Sequence, residues 1–179
     1  PFATVPVTDP VTGETASILD RARAAGAVPN LVYTMTSTEY WTRSASLLHT
    51  DVIAANDVGL DPKARLYFIA GAQHNNGFGL DRGIFENCRN PLDHRPILRA
   101  LFLATDRWAT TGAEPPPSQY PTLAAGTLGT VAQYTAAFPT LGDVRLPQGN
   151  LQPRRLDLGP RFTAQGIVDL QPAVLGDAY

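Results

Sequence analysis

Residues 30–41 read NLVYTMTSTEYW, and this stretch decides the fold class of the 179-residue chain. Residues 30–36 are rich in β-branched and aromatic side chains and follow Pro29, which predicts a buried strand. A helix should follow from about Thr38 to His49, because apolar side chains recur there at helical spacing. A strand that leads directly into a helix is the typical unit of an α/β protein.

The same alternation extends to both sides of this stretch. Before it, the spacing predicts a helix from Thr15 to Ala25 that ends at Gly26. After it come an apolar strand over Arg65–Ala70 and an amphipathic helix from about Asp93 to Thr111, which stops at Gly112. Helix, strand, helix, strand, helix predicts parallel strands with crossover helices, whose carboxyl ends share the sheet edge where ligands bind.

Residues 118–179 follow no such pattern. Apolar residues are scattered among Pro and Gly, and short strands are predicted around residues 130–134, 144–146 and 167–170. We therefore predict a body over residues 1–121 and an irregular tail over residues 122–179 that packs on the body.

Composition excludes several classes of function. The chain is 44% hydrophobic and long enough for one core, with a formal net charge of −2. It has no basic block beyond Arg154 and Arg155, so no nucleic-acid partner and no anionic membrane surface is expected. The longest uncharged stretch, residues 115–142, contains three consecutive prolines, which predicts a soluble protein without a membrane span.

Metal and thiol chemistry have weak support in the sequence. Cys88 is the single cysteine, so neither an internal disulfide nor a cysteine-based zinc site is expected. The three histidines, His49, His74 and His94, have no paired spacing typical of metal ligands on a helix. We predict no metal and no cofactor.

Polar residues follow both predicted strands at the point where each strand ends. Glu39 lies in TSTEYW after the first strand, and His74 lies in GAQHNNG after the second. Because the carboxyl ends of neighbouring parallel strands share an edge, we expect these side chains within hydrogen-bond reach although they are 35 positions apart. A carboxylate beside an imidazole fixes its tautomer and stabilises the imidazolium formed when it accepts a proton.

Each residue also has a structural interpretation. Thr36-x-x-Glu39 fits a capping box at a helix start, and Ser37 is explained by helix capping in the same way. His74 could be a solvated loop histidine, and Trp41 a core residue instead of part of a substrate pocket. These interpretations together describe a non-catalytic α/β binding or interaction module.

Several segments resemble a bacterial alpha/beta-hydrolase domain family of largely uncharacterised members. They are TSTEYW, GAQH, LRALFLATDRW with PPPSQYP after it, and TDPVTGET near the start, so the resemblance runs from about Pro1 to Pro121. It implies the C-terminal portion of an α/β-hydrolase fold, a carboxylic ester or related acyl substrate, Glu39 as the triad acid and His74 as its base, because the acid precedes the histidine in that fold.

The nucleophile of such a triad is missing. No G-x-S-x-G elbow occurs among the 179 residues, and the opening PFATVPVTDP reads as a connecting segment. We therefore expect the serine upstream of Pro1, or in a second chain if the enzyme is cut in two, and an inactive isolated piece. The faces that would pack on the missing part should leave apolar surface exposed, to be covered by that part or by self-association.

Overall fold

The structure is a computed structural model that describes residues 2–76, 79–152 and 154–178. The regular elements of these residues are, in chain order, β1 (Val7–Thr8), β2 (Thr15–Ala16), α1 (Asp20–Ala24), β3 (Leu31–Thr36), α2 (Ser37–Thr42), a 3-10 helix (Ala45–Leu48), β4 (Ala64–Ile69), α3 (Arg95–Thr111), α4 (Val131–Ala137), β5 (Arg154–Asp157), α5 (Phe162–Gln165) and β6 (Val174–Ala178). β1 with β2, and β5 with β6, form antiparallel pairs.

β3 and β4 form the parallel pair that the sequence predicts. Their register runs from Leu31 opposite Ala64 to Thr36 opposite Ile69, so both strands end at the same edge. The core surrounds β4, where Leu66 is fully buried. Mixed helices and small sheets with one parallel pair are thus present, whereas the sheet of a complete hydrolase core is not seen in the described part of the chain.

The two outer edges of this parallel pair differ. Gln119 extends the edge of β4, because its N–H donates to the Leu66 carbonyl at 2.9 Å and its carbonyl accepts from the Phe68 N–H at 2.7 Å. The outer edge of β3 makes no backbone hydrogen bond with any described residue. A further strand could therefore pair with β3 but not with the same part of β4.

The helix after β3 is shorter than predicted. α2 ends at Thr42 and not near His49, because Ser44 adopts a left-handed backbone conformation with φ of 52°. The chain then continues as the 3-10 helix Ala45–Leu48, which buries Leu47. The predicted helix over residues 38–49 is wrong in its second half.

α1 ends as predicted but begins later. Thr15 and Ala16 pair with β1, and the Ser17 hydroxyl donates to Asp20 Oδ1 at 2.6 Å just before the helix. At the other end Gly26 has φ of 64°, and the Ala27 N–H donates to the Ala22 carbonyl at 2.8 Å, which is a Schellman cap.

α3 begins at Arg95, close to its predicted start, and ends at Gly112, which adopts φ of 76°. Its inner face buries Trp108, over which the Arg65 guanidinium lies 5.0 Å from the ring centroid. Phe102 on the same helix is 73% exposed, as expected for a helix face that packs against another part of the protein or against a second copy. What covers that face stays a prediction.

The tail is more regular than expected, and its predicted strands are wrong. Residues 131–137 form α4, because Thr130 and Gln133 make a capping box at its start. Residues 144–146 form no strand, since the Asn87 side chain bonds both the N–H and the carbonyl of Arg145. Residues 167–170 lie in a loop in which the Leu158 carbonyl accepts two N–H groups, and the strands form at 154–157 and 174–178 instead.

The tail touches the body at several points. The Asp57 carboxylate accepts the N–H groups of Leu123 at 2.9 Å and Ala124 at 2.8 Å. The division at residues 121 and 122 stays a prediction. In the residues that the structure describes, no helix combines the length and the apolar character needed to cross a bilayer.

Candidate active site

Glu39 lies in the first turn of α2, where one of its oxygens caps the helix. Glu39 Oε2 accepts the Thr36 backbone N–H at 2.6 Å and the Thr36 hydroxyl. The side chain of Glu39 is only 12% exposed. The capping box predicted from Thr36-x-x-Glu39 is therefore present, and it fixes the carboxylate against the end of β3.

The other oxygen of the same carboxylate faces His74. Glu39 Oε1 and His74 Nδ1 are hydrogen-bonded, so the structure brings together the two side chains that the sequence places at one edge. Since a carboxylate only accepts, Nδ1 carries the proton of this bond. Capping and pairing are thus simultaneous, because each uses its own oxygen.

This arrangement leaves Nε2 of His74 available. The side chain of His74 is 67% exposed, and no described residue forms a hydrogen bond with Nε2. A neutral ring protonated at Nδ1 has its lone pair on Nε2. His74 can therefore accept a proton at Nε2 from a group that approaches the edge of the ring facing away from Glu39.

Hydrogen bonds keep Glu39 ionised. Burial raises the pKa of Glu39, but hydrogen bonds from the Thr36 hydroxyl, from His74 and from the Thr36 N–H outweigh it, so the pKa lies below its ordinary value. At neutral pH a negative charge therefore faces the imidazole.

The start of α2 also braces the loop that carries His74. The Thr38 hydroxyl oxygen accepts the His74 N–H at 3.2 Å, and the Ser37 hydroxyl oxygen accepts the Gly71 N–H at 2.8 Å. Ser37 was expected to cap the helix, and that interpretation is wrong, because its oxygen binds the neighbouring loop. The acid and the histidine loop are thus joined by three neighbouring residues of one helical turn.

Two asparagines that were not predicted as site residues also help to hold the loop. Asn90 Nδ2 donates to the Gly71 carbonyl at 2.9 Å. Asn76 Oδ1 accepts the His94 N–H at 3.0 Å, and Asn76 Nδ2 donates to His94 Nε2 at 3.4 Å. Nothing in the local sequence marks these asparagines, since their partners lie 18 and 19 residues away.

A buried histidine also anchors α2. His49 is fully buried, and its Nε2 lies 2.8 Å from the hydroxyl oxygen of Tyr40, the residue after Glu39. The Tyr120 ring packs 4.7 Å from the His49 ring. Burial lowers the pKa of His49 and raises that of Tyr40, so this pair stays neutral at physiological pH.

No metal cluster accompanies the site in the described ranges. His, Cys, Asp and Glu side chains there do not gather in groups of three or more that could hold a metal ion. His94, which the sequence leaves without a role, is buried, and its Nδ1 has no hydrogen-bond partner among the described residues.

Comparison with known proteins identifies the family of the chain. The family model of the alpha/beta hydrolase domain matches residues 3–152. A search of curated proteins and a search of solved structures each found no match. Because the family match covers most of the chain, the chain belongs to the alpha/beta hydrolase domain family.

Proposed function

We propose that this chain supplies the acid and the base of a serine-hydrolase triad that cleaves carboxylic esters or a related acyl substrate. The observation that carries the proposal is the hydrogen bond between Glu39 Oε1 and His74 Nδ1 at the shared edge of β3 and β4. Family membership supports hydrolysis, and the order of acid before histidine matches the chain order of α/β-hydrolase triads.

The chemistry follows from the two ends of the imidazole. His74 Nε2 takes the proton of a serine hydroxyl as its oxygen attacks the substrate carbonyl carbon, and returns that proton to the leaving alcohol oxygen. A water molecule then takes the place of the alcohol and attacks the acyl carbon. His74 Nε2 accepts the proton of this water and returns it to the serine oxygen as the carboxylic acid leaves. Glu39 stays ionised throughout and stabilises the imidazolium.

The serine is proposed to come from a preceding part of the polypeptide. The 179 residues contain no G-x-S-x-G elbow. Several serines here are already engaged: Ser17 binds Asp20, Ser37 accepts from Gly71, and Ser118 accepts the Leu66 N–H at 3.1 Å. The outer edge of β3, which has no backbone partner among the described residues, is where a strand from that part would add.

The alternative, a non-catalytic binding module, has less support. Capping α2 needs one oxygen of Glu39, and a solvated loop histidine needs no carboxylate. The second oxygen of Glu39 instead binds His74, and Ser37, Thr38, Asn76 and Asn90 brace the loop that carries it. Ordering an exposed histidine in this way costs conformational entropy, which is expected where its position matters.

Hydrolysis of 4-nitrophenyl butyrate by the polypeptide extended upstream tests the proposal. His74→Ala should lower kcat/KM by at least about 10²-fold, because a general base is lost. Asn75→Ala, at the exposed neighbouring position, is the control and should stay within about twofold, because surface changes are small in effect. The isolated 179-residue chain should hydrolyse the ester no faster than buffer.

A fluorophosphonate label locates the nucleophile in the same extended protein. The label should attach to an upstream serine in the wild-type protein and be greatly reduced in His74→Ala. Labelling of a serine within the 179 residues would contradict the proposed location. A His74→Ala rate within about threefold of wild type would contradict the catalytic role.

A further inference from the structure

An open cleft lies between α2 and the tail. Its volume is about 730 Å³, within the range of sites that bind small molecules. Trp41 and Thr42 of α2 form one wall, Tyr134 and Phe138 at α4 form a second, and residues 144–147 and 149–151 form a third.

Aromatic rings dominate two of these walls. The Trp41 and Tyr134 rings meet edge to face, with centroids 5.0 Å apart and an interplanar angle of 73°. The Tyr134 and Phe138 rings are 5.4 Å apart. Leu151, which lines the cleft, is 65% exposed, so the cleft includes apolar surface that is open to solvent. Another flat ring would extend this series of ring contacts.

The cleft carries little unpaired charge. Arg145 is the charged residue among those that line it in the described chain, and its guanidinium lies 3.7 Å from Glu86. The side-chain amide of Asn87 is occupied on both sides by the Arg145 backbone, at 2.7 and 2.9 Å. The lining side chains other than Arg145 are uncharged, so this part of the cleft favours a neutral ligand, because a charged group there would lose water without gaining an oppositely charged partner.

Hydrogen bonds to the backbone hold the walls together. The Leu151 N–H donates to the Trp41 carbonyl at 2.8 Å, which ties the third wall to α2. The two hydrogen bonds of the Asn87 side chain tie the same wall, at Arg145, to the segment that follows the His74 loop. The cleft is therefore bounded by the helix that carries Glu39 and by the segment that follows His74.

We propose that this cleft binds a neutral aromatic group, and that this group is the non-reacting part of the ester substrate. The second half of the proposal rests on the proposed function, whereas binding of the aromatic group does not. The aromatic walls supply the attraction, and one of these walls belongs to α2, the helix that carries Glu39, so a substrate group bound in the cleft would lie beside the helix of the proposed acid.

Titration of the 179-residue chain with 4-phenyl-2-butanone, a ketone that resembles an aromatic ester but cannot be hydrolysed, tests the binding. Trp41 lies in the cleft and Trp108 is 7% exposed, so tryptophan fluorescence should change saturably in the millimolar range. The fluorescence change should be absent in Trp41→Phe. Nonan-2-one, an aliphatic ketone, should bind at least about threefold more weakly if ring contacts matter.

Glycine positions give matched variants. Gly149 lines the cleft, and a Cβ there meets no atom within 4 Å, so Gly149→Phe should fill the space without backbone strain. Gly59, outside the cleft, has equally open space, and Gly59→Phe is the control. Gly149→Phe should weaken ketone binding at least about tenfold, while Gly149→Ala and Gly59→Phe stay within about twofold, since they leave the cleft open.

The outcomes separate the two proposals. No saturable signal, undiminished binding in Gly149→Phe, or equal binding of the aliphatic ketone would overturn the aromatic site. If the cleft binds the ketone as expected, a higher KM of Gly149→Phe for a phenyl ester in the extended protein supports its role in substrate binding, and an unchanged KM overturns that role. If His74→Ala does not slow hydrolysis in the extended protein, the proposed function is overturned, whereas the result of the ketone titration is unaffected.

Discussion

Glu39 and His74 meet at one edge of the sheet, but the chain holds them by different means. Glu39 is 12% exposed and is fixed within its own helical turn, by Thr36 three residues before it. His74 is 67% exposed, and its loop is held by residues far away in sequence, Thr38 and Asn90 among them. A locally held acid and a remotely held base should respond differently to mutation, and the predictions below test this difference.

The largest effect should come from the acid. Glu39→Gln can keep an oxygen for Thr36, but its amide cannot stabilise the imidazolium or accept the Nδ1 proton at the same time. In the extended protein kcat should fall by about 10³-fold or more, as expected when the acid of a triad becomes an amide. Ester hydrolysis under saturating substrate measures this loss, and a variant that retains a tenth of the wild-type kcat would contradict the role of Glu39.

A smaller loss should follow from removing the remote braces of the base. Asn90→Ala deletes the donor to the Gly71 carbonyl, and Thr38→Val deletes the acceptor of the His74 N–H. Each should lower kcat/KM by about tenfold, since small displacements of a catalytic group are costly. The same assay measures it, with Asn75→Ala as the control. Unchanged activity in both variants would mean that the loop holds His74 without them.

Thr36→Val should lower the stability of the fold more than Asn90→Ala or Thr38→Val does. The Thr36 hydroxyl is buried and donates to Glu39 Oε2, so its loss removes one side of the capping box. Urea denaturation should show a loss of about 1 kcal/mol in the free energy of unfolding. Thr36→Ser keeps the hydroxyl and should lose less. Equal loss in both variants would indicate a packing effect of the methyl group instead.

The smallest effect concerns pH. Because the pKa of Glu39 in the folded protein lies below its ordinary value of 4.5, ionised Glu39 stabilises the fold. This contribution is complete above the ordinary value and is lost as the pH falls through the lowered one. The free energy of unfolding of Glu39→Gln should therefore depend less on pH below about 4.5 than that of wild type. Urea denaturation at several acidic pH values measures this dependence. An equal change of the free energy of unfolding with pH in both proteins would contradict the prediction.

The same contrast explains how much the sequence could predict. Features fixed within a few residues were predicted correctly: the two parallel strands, the helix ends at Gly26 and Gly112, and the capping box of Glu39. Joint placement of Glu39 and His74 also followed from sequence, because parallel strands share an edge. Their catalytic role stays a prediction.

Other features were missed or predicted wrongly, and the reasons differ. The helix predicted to reach His49 ends at Thr42, because Ser44 adopts a left-handed backbone conformation. Serine rarely adopts this conformation, so the sequence does not predict it. The predicted strand at residues 144–146 is replaced by a loop that Asn87 holds from more than 50 residues away. The helix at 131–137 was missed although Thr130-x-x-Gln133 is a capping box, so a local signal was present there.

The hydrogen bond between Glu39 and His74 can be measured directly in the 179-residue chain. Nitrogen-15 NMR of labelled histidine, assigned with His74→Gln, reports which ring nitrogen carries the proton when the ring is neutral. The structure predicts a protonated Nδ1 and an unprotonated Nε2 at His74, and a loss of this preference in Glu39→Gln. A proton on Nε2 in the wild-type chain, with Nδ1 unprotonated, would contradict the pair on which the proposed hydrolase activity depends.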